Sequence, residues 1–130
     1  MKKILIIEDD QKIALALALR LKSLGYEATM AYDALTGVNI AVKLKPDLVL
    51  LDISMPAGNG FTVAERIQSL VPTPIIFLTA SKQPGFRKRA QELGAAAFFE
   101  KPYEPEQLLA AITDILSDTC PDPPSLMPVQ

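Results

Sequence analysis

Two short apolar runs in this 130-residue sequence are each followed directly by acidic side chains. Glu8 and Asp9 come after residues 4–7, and Asp52 comes after residues 48–51. Like charges held about 4 Å apart cost roughly 4 kcal/mol per pair at an effective dielectric near 20, so a close cluster needs a cation or raised pKa values. Oxygen ligands favour Mg²⁺, which also binds phosphate oxygens. A carboxylate can act as a covalent nucleophile and form an aspartyl phosphate, and Asp52 is our candidate.

Two further positions offer the groups that a phosphoryl ligand needs. Thr79 follows the apolar run 74–78 and offers a hydroxyl, and Lys101 comes after the weaker run 95–99 and offers a compact positive charge. Phosphoryl transfer depends mainly on positioning and charge neutralisation rather than on acid–base chemistry by the protein. The sequence contains no histidine, which excludes imidazole bases and histidine metal ligands, and phosphoryl chemistry of this kind does not require them.

A sheet must position these residues, because apolar strand-like runs alternate five times with segments rich in Ala, Leu, Lys and Glu. Continuous apolar runs are typical of central parallel strands that are buried on both faces. The predicted strands are residues 4–7, 26–31, 48–51, 74–78 and 95–99. Repeated βα units predict an α/β domain with right-handed crossovers and a parallel sheet covered by helices. Ligands of such sheets bind beyond the carboxyl ends of the strands, where the candidate residues lie.

The segment after the first strand is ambiguous between strand and helix. Residues 13–19 alternate large and small apolar side chains with period two, a pattern that by itself suggests a strand. Ala and Leu are strong helix formers, and the stretch continues to Leu24. We therefore predict a helix that Asp10 caps at its N-terminus and that Gly25 ends.

Composition narrows the class of protein. Hydrophobic residues make up 49% and charged residues 22% of the chain, which is the balance of a globular protein. The net charge of −2 gives no basic field that would favour nucleic acid or an anionic membrane. The apolar stretch behind Met1-Lys2-Lys3 covers only residues 4–7 and is too short for a secretory signal, so we predict a cytoplasmic protein.

The composition changes near residue 118. Residues 121–128 contain four prolines, which cannot extend a helix. We predict one domain over residues 1–118 and a Pro-rich tail, or the start of a linker, over residues 119–130. The single cysteine, Cys120, falls in this tail and has no partner for an internal disulfide.

Four motifs, in this order and at this spacing, resemble the receiver domain of the response-regulator family over residues 2 to about 118. They are ILIIEDD at residues 4–10, LLDISMP at residues 50–56 with Gly60, FLTA at residues 77–80 and FFEKP at residues 98–102. Each motif alone is modest evidence, and the joint pattern is highly specific. The resemblance implies a three-layer, doubly wound sheet of five parallel strands in the flavodoxin-like order 2-1-3-4-5.

The resemblance also implies roles for the site residues. Asp52 would accept a phosphoryl group from a phosphohistidine on a partner, and Lys101 would pair with the phosphoryl oxygens. Mg²⁺ or Mn²⁺ would be bound by the side chains of Asp9 and Asp52 and by the backbone carbonyl of Ser54. Glu8 would contribute through a metal-bound water.

A switch is implied by the same resemblance. Thr79 would move to hydrogen-bond the phosphoryl group, and Phe98 would turn inward as the threonine moves. The Lys101–Pro102 peptide would be cis, as in the family. Phe98 stands where the family more commonly has Tyr, so no hydroxyl is available there to bond a loop carbonyl. The result would be a population shift between two packings, biased by a new charge.

Expected partners follow from the resemblance as well. The phosphodonor would be a sensor histidine kinase or a phosphotransfer protein, and the output would be a downstream protein or a fused effector domain. This domain itself would bind no nucleic acid and no membrane, and it would be a monomer or a transient homodimer. It would catalyse its own phosphoryl transfer and autodephosphorylation without being a conventional enzyme.

Three other functions compete with this interpretation. An aspartate-nucleophile phosphatase of the haloacid-dehalogenase type would need a second acid two residues after the nucleophile, where this chain has Ser54. A flavodoxin-like cofactor binder would need a phosphate loop after the first strand, where Glu8-Asp9-Asp10 would repel a phosphate. A protein-binding module that is never phosphorylated is disfavoured by the intact acidic set, and it stays open.

Overall fold

The computed structural model describes residues 1–54, 60–80 and 84–117. Strands and helices alternate through all of these ranges. They are β1 (Lys3–Ile7), α1 (Gln11–Ser23), β2 (Glu27–Ala31), α2 (Ala34–Leu44), β3 (Leu48–Asp52), α3 (Gly60–Leu70), β4 (Ile75–Thr79), α4 (Pro84–Glu92), β5 (Ala97–Glu100) and α5 (Pro105–Leu116). The predicted helix over residues 13–19 is therefore confirmed. The predicted tail at 119–130, with Cys120, lies outside the described residues, as do Met55 and Pro56 of the second motif.

The five strands form one parallel sheet in the order β2-β1-β3-β4-β5. This order confirms the predicted flavodoxin-like architecture. The central strands β3 and β4 are buried at every position, as their continuous apolar sequences indicate. No helix within the described ranges is long and apolar enough to cross a membrane.

Alternate residues of each strand point to opposite faces of the sheet, and this alternation produces two separate cores. On one face, Leu5, Ile7 and Phe77 pack against side chains of α2, α3 and α4. On the other face, Ile4 and Ile6 pack with their neighbours against α1 and α5. The sheet is thus covered on both sides, and the candidate residues lie at its edge.

The helix termini show why the chain turns where it does. The Asp10 carboxylate accepts hydrogen bonds from the backbone N–H groups of Lys12 and Ile13, so the predicted cap is confirmed. A second cap, Asp33, accepts from the N–H of Thr36. Gly25, with φ of +94°, follows α1 in a conformation that costs glycine little.

The strands β3 and β4 each end one residue later than predicted, at the edge of the sheet where the candidate residues lie. Asp52 and Thr79 are the last residues of β3 and β4 rather than the first residues after them. The ladder continues because the N–H of Ile53 donates to Leu78 O (2.9 Å) and the N–H of Lys101 donates to Thr79 O (2.7 Å). The backbone at both residues is therefore held by regular sheet hydrogen bonds.

Gly60 at the start of α3 is explained by a close approach of two backbones. A Cβ placed on Gly60 would lie 2.4 Å from Ile53 Cα, which is closer than van der Waals contact allows. Because Ile53 follows Asp52 directly, this approach holds the end of β3 against the start of α3. Only glycine fits without moving one of the two segments.

We expect Gly60→Ala to lower the free energy of unfolding by about 2–3 kcal/mol, since the added methyl group must displace backbone. The matched control is Gly85→Ala in α4, where a Cβ meets nothing within 4 Å. That variant is expected to be neutral or to stabilise by up to about 1 kcal/mol. Urea unfolding measures both, and equal midpoints for the two variants would contradict the steric explanation.

Candidate functional site

Three carboxylates converge at the carboxyl edge of the sheet. One oxygen from each of Glu8, Asp9 and Asp52 lies within 4.8 Å of the other two. Glu8 and Asp52 are each only 3% exposed, whereas Asp9 is exposed to solvent. They meet because β1 and β3 are adjacent and in register, with Ile7 opposite Leu51. The predicted acidic cluster is therefore assembled by strand pairing.

The Lys101 ammonium group lies between two of these carboxylates. Its Nζ is 3.0 Å from Glu8 Oε1 and 3.1 Å from Asp52 Oδ2. The backbone of Lys101 is held by its hydrogen bond to Thr79 O, and the following peptide bond to Pro102 is cis, as predicted. One cation thus compensates two buried charges that would be costly without it.

Ser54 binds the other oxygen of Asp52. Its backbone N–H and its hydroxyl both donate to Asp52 Oδ1, at 2.8 and 2.5 Å. The N–H of Ala80 approaches the Ser54 hydroxyl oxygen at 3.4 Å. For Ser54 the sequence predicted a role of the backbone carbonyl, and this hydroxyl contact was not predicted. The available signal was a short hydroxyl side chain two residues after an acid, a spacing at which local side-chain hydrogen bonds form.

These surroundings separate the pKa values of the two buried acids. Burial, together with a hydrogen bond with Asp52, raises the pKa of Glu8 to about 7 against the opposing effect of Lys101. Burial also acts to raise the pKa of Asp52, but the Ser54 donors, the hydrogen bond with Glu8 and the charge of Lys101 outweigh it and leave that pKa lowered. A proton therefore resides on Glu8 in preference, and Asp52 stays ionised.

Lys101 stays charged in this environment. Its burial acts to lower the pKa, but the hydrogen bond and charges of Glu8 and Asp52 outweigh this effect and raise the pKa above the ordinary value. The site then holds up to three carboxylates against one ammonium group at these short distances. An excess of negative charge made of oxygen donors fits a hard divalent cation such as Mg²⁺.

Thr79 and Phe98 lie on the neighbouring strands β4 and β5. Thr79 is fully buried at the end of β4, and Phe98 pairs with Phe77 in the β4–β5 ladder. Phe98 is partly buried, and the Arg87 guanidinium stands over its ring at 4.8 Å from the centroid. The fold thus places Thr79 at the carboxyl end of β4 and Phe98 two residues before the end of β5, and their switching role stays a prediction.

Comparison with known proteins identifies the same kind of domain. The sequence pattern described as "Response regulator receiver domain" matches residues 4–113. A curated relative, the DNA-binding dual master transcriptional regulator RpaA of Synechocystis, is 34% identical over 122 residues, which are 92% of this chain and 51% of that protein. The chain spans about half the length of the curated relatives it matches.

Solved structures agree with the fold. The non-phosphorylated HemR receiver domain from Leptospira biflexa superposes with a TM-score of 0.85 at 35% identity, covering 94% of this chain and 99% of that one. A response regulator from Burkholderia pseudomallei, solved with a phosphorylated aspartic acid, a calcium ion and citrate, gives a TM-score of 0.79 at 26% identity, covering 85% and 66%.

The raised pKa of Glu8 predicts how stability depends on pH in metal-free protein. Between the ordinary value of 4.5 and about 7, the folded state binds more protons than the unfolded state, so stability must fall as pH rises through this window. Glu8→Gln removes the titrating group and should remove a loss on the order of 2 kcal/mol. Urea unfolding between pH 5 and pH 8 with a chelator present measures this slope, and no histidine titrates in the same window.

Glu27→Gln is the matched control, because it removes an exposed carboxylate from a neighbouring strand. It should keep the wild-type pH dependence, whatever its small constant effect on stability. If Glu8→Gln and wild type gave parallel pH profiles, burial of an ionised Glu8 would not limit stability at neutral pH.

Proposed function

The chain belongs to the response regulator receiver domain family, and from this membership we propose that it switches protein–protein interactions in two-component signalling by accepting a phosphoryl group on Asp52. The observation that carries the proposal is the environment of Asp52. Its carboxylate is buried, kept ionised, and bound at one oxygen by Lys101 and at the other by Ser54. An ionised carboxylate fixed in place is a competent nucleophile.

The proposed reaction is a direct phosphoryl transfer from a phosphohistidine of a sensor histidine kinase or a phosphotransfer protein. A bond forms between an Asp52 oxygen and phosphorus, and the bond between phosphorus and the donor's imidazole nitrogen breaks, with its electron pair left on that nitrogen. Lys101 Nζ, 3.1 Å from Asp52 Oδ2, is placed to pair with the phosphoryl oxygens. Hydrolysis of the acyl phosphate by water regenerates the Asp52 carboxylate and releases inorganic phosphate. In this way the domain would catalyse its own dephosphorylation.

The cation that fits this cluster is Mg²⁺ or Mn²⁺. We propose that the side chains of Asp9 and Asp52 and the backbone carbonyl of Ser54 hold it, and that Glu8 acts through a bound water. When bound, the ion supplies positive charge to the phosphoryl oxygens. The exposed position of Asp9 leaves one side of the cluster open to solvent, which suits an ion that keeps several waters.

The proposed output is a change in packing at β4 and β5. The new charge on Asp52 would draw the Thr79 hydroxyl toward it, and Phe98 would turn into the space beside Thr79. A downstream protein or a fused effector domain would read this change. We further propose a receiver domain over residues 1–118 followed by a tail or linker at 119–130, acting in the cytoplasm as a monomer or transient homodimer.

Phosphorylation is tested with a small phosphodonor. Incubation with acetyl phosphate and Mg²⁺ should add one phosphoryl group, detected by intact-mass spectrometry, and Asp52→Asn should abolish the adduct because an amide is a far weaker nucleophile. Asp33→Asn is the control, since Asn still caps α2. An adduct that persists in Asp52→Asn, or no adduct on wild type, would overturn the proposed function and favour a module that works without phosphorylation.

Metal binding is tested by its effect on stability. Mg²⁺ that binds only the folded state should raise the free energy of unfolding by about 2.7 kcal/mol at a hundredfold excess over Kd. Asp9→Asn should reduce this gain, because it removes a charged ligand from the cluster. Asp10→Asn is the adjacent control, as its side chain caps α1. Equal Mg²⁺ stabilisation of the two variants would rule out Asp9 as a ligand.

A further inference from the structure

Among the residues that the structure describes, few contacts attach the α4 helix to the rest of the domain. Among Pro84–Glu92, Ala90 is the buried side chain. Phe86 packs edge-on against Phe61 of α3, at a centroid distance of 5.3 Å. Arg89 forms an exposed ion pair with Glu65 at 3.1 Å, a kind of contact that contributes about 0.2–1 kcal/mol. The remaining contact of interest joins α4 to β5 through Arg87 and Phe98.

The Arg87 guanidinium stands 4.8 Å from the centre of the Phe98 ring. This distance lies well inside the range over which a cation is attracted to the face of an aromatic ring. Phe98 belongs to the edge strand of the sheet and is only partly buried. The Phe98 ring packs against the core that the sheet forms with α2, α3 and α4, and the Arg87 guanidinium stands over the ring.

The contact between Arg87 and Phe98 occurs together with an Asp52 carboxylate whose oxygens bind Lys101 and Ser54. In this structure the ammonium group of Lys101 contacts Glu8 and Asp52 directly, so its positive charge compensates these two carboxylates. If Phe98 turns inward after phosphorylation, its ring face leaves the Arg87 guanidinium. A contact made in only one of two states biases the equilibrium between them by its own free energy.

We propose that the contact of Arg87 with the Phe98 ring, called the latch below, stabilises the orientation that Phe98 has in this structure, called outward below. The latch would thereby set how readily the domain responds to phosphorylation. The inference rests on the proposed function, and it adds a residue of α4 to the switch. The Phe98 side chain has no hydrogen-bonding group, so the contact of the Arg87 guanidinium with its ring acts through the ring face.

The test uses beryllofluoride, which mimics a phosphoryl group on a carboxylate, titrated with Mg²⁺ into the whole chain. Loss of an exposed cation–π contact should tighten the apparent affinity of Arg87→Met by about two- to fivefold, by shifting the unliganded population toward the inward state. Methionine keeps the length and apolar stem of the side chain. Lys88→Met is the matched control, because it removes the same charge from the adjacent exposed position.

Two further measurements separate a latch from a general charge effect. In a Phe98→Leu background, Arg87→Met should no longer change the affinity, since no ring remains to be held. With fluorinated phenylalanine, the ¹⁹F resonance assigned to Phe98 should move in unliganded Arg87→Met toward its position in beryllofluoride-bound wild type. Urea unfolding confirms that each variant is folded before titration.

Each outcome decides between the proposals. If wild type fails to bind beryllofluoride, the phosphoacceptor function falls and the latch falls with it. If wild type binds but Arg87→Met has the wild-type affinity and the wild-type Phe98 resonance, only the latch is wrong. Equal tightening in Arg87→Met and Lys88→Met would also overturn the latch, because the effect would then come from net charge alone.

Discussion

The contact of one ammonium group with two buried carboxylates is the interaction on which the site depends. Lys101 Nζ lies 3.0 Å from Glu8 and 3.1 Å from Asp52, and Lys101 directly follows β5, which lies two places away from β3 in the sheet. Without this cation, two acids with 3% exposure would repel each other in a medium of low dielectric. The three side chains therefore require the exact alignment of β1, β3 and β5 that a single parallel sheet provides.

The sheet can hold these strands in alignment because helices cover its apolar side chains on both faces. β3 and β4 are buried throughout, and the two cores lie on opposite faces of the same strands. Burial of apolar surface on both faces stabilises the domain enough to support a cluster of acids at one edge, which lowers stability at neutral pH. Because the pKa of Glu8 is raised and that of Asp52 is lowered, a proton on Glu8 lessens that cost while Asp52 stays ionised.

Much of this arrangement could be predicted from the sequence. Apolar runs of the right length mark the strands, the strand ends identify one edge, and Glu8, Asp52 and Lys101 follow or end those runs. Asp10 was recognisable as a cap because its type and position are local properties. The exact last residues of β3 and β4 were not, since Asp52 and Thr79 stay in the ladder through hydrogen bonds to neighbouring strands.

Features that depend on how separate segments meet could not be predicted. Gly60 was recognisable as part of a motif, but its reason is a backbone approach to Ile53 that only the folded chain shows. The Asp33 cap of α2 was not predicted, because the sequence did not define where the second strand ends and the second helix begins. Arg87 belongs to a basic stretch that looks like an ordinary solvated helix face, and its position over Phe98 follows from how α4 packs against β5.

The sheet and α4 differ in how firmly they are attached to the domain, and the proposed switch would use this difference. Asp52 and Thr79 are held in place by ladder hydrogen bonds and by burial, so the strands that carry them are rigidly positioned. Within the described part of the chain, the helix α4 has one buried side chain, Ala90. Its other contacts include the packing of Phe86 on Phe61 and two contacts of modest free energy, made by Arg87 and Arg89. Under the proposed function, a change of orientation at Phe98 would have to outweigh only contacts of this size, among them its contact with Arg87.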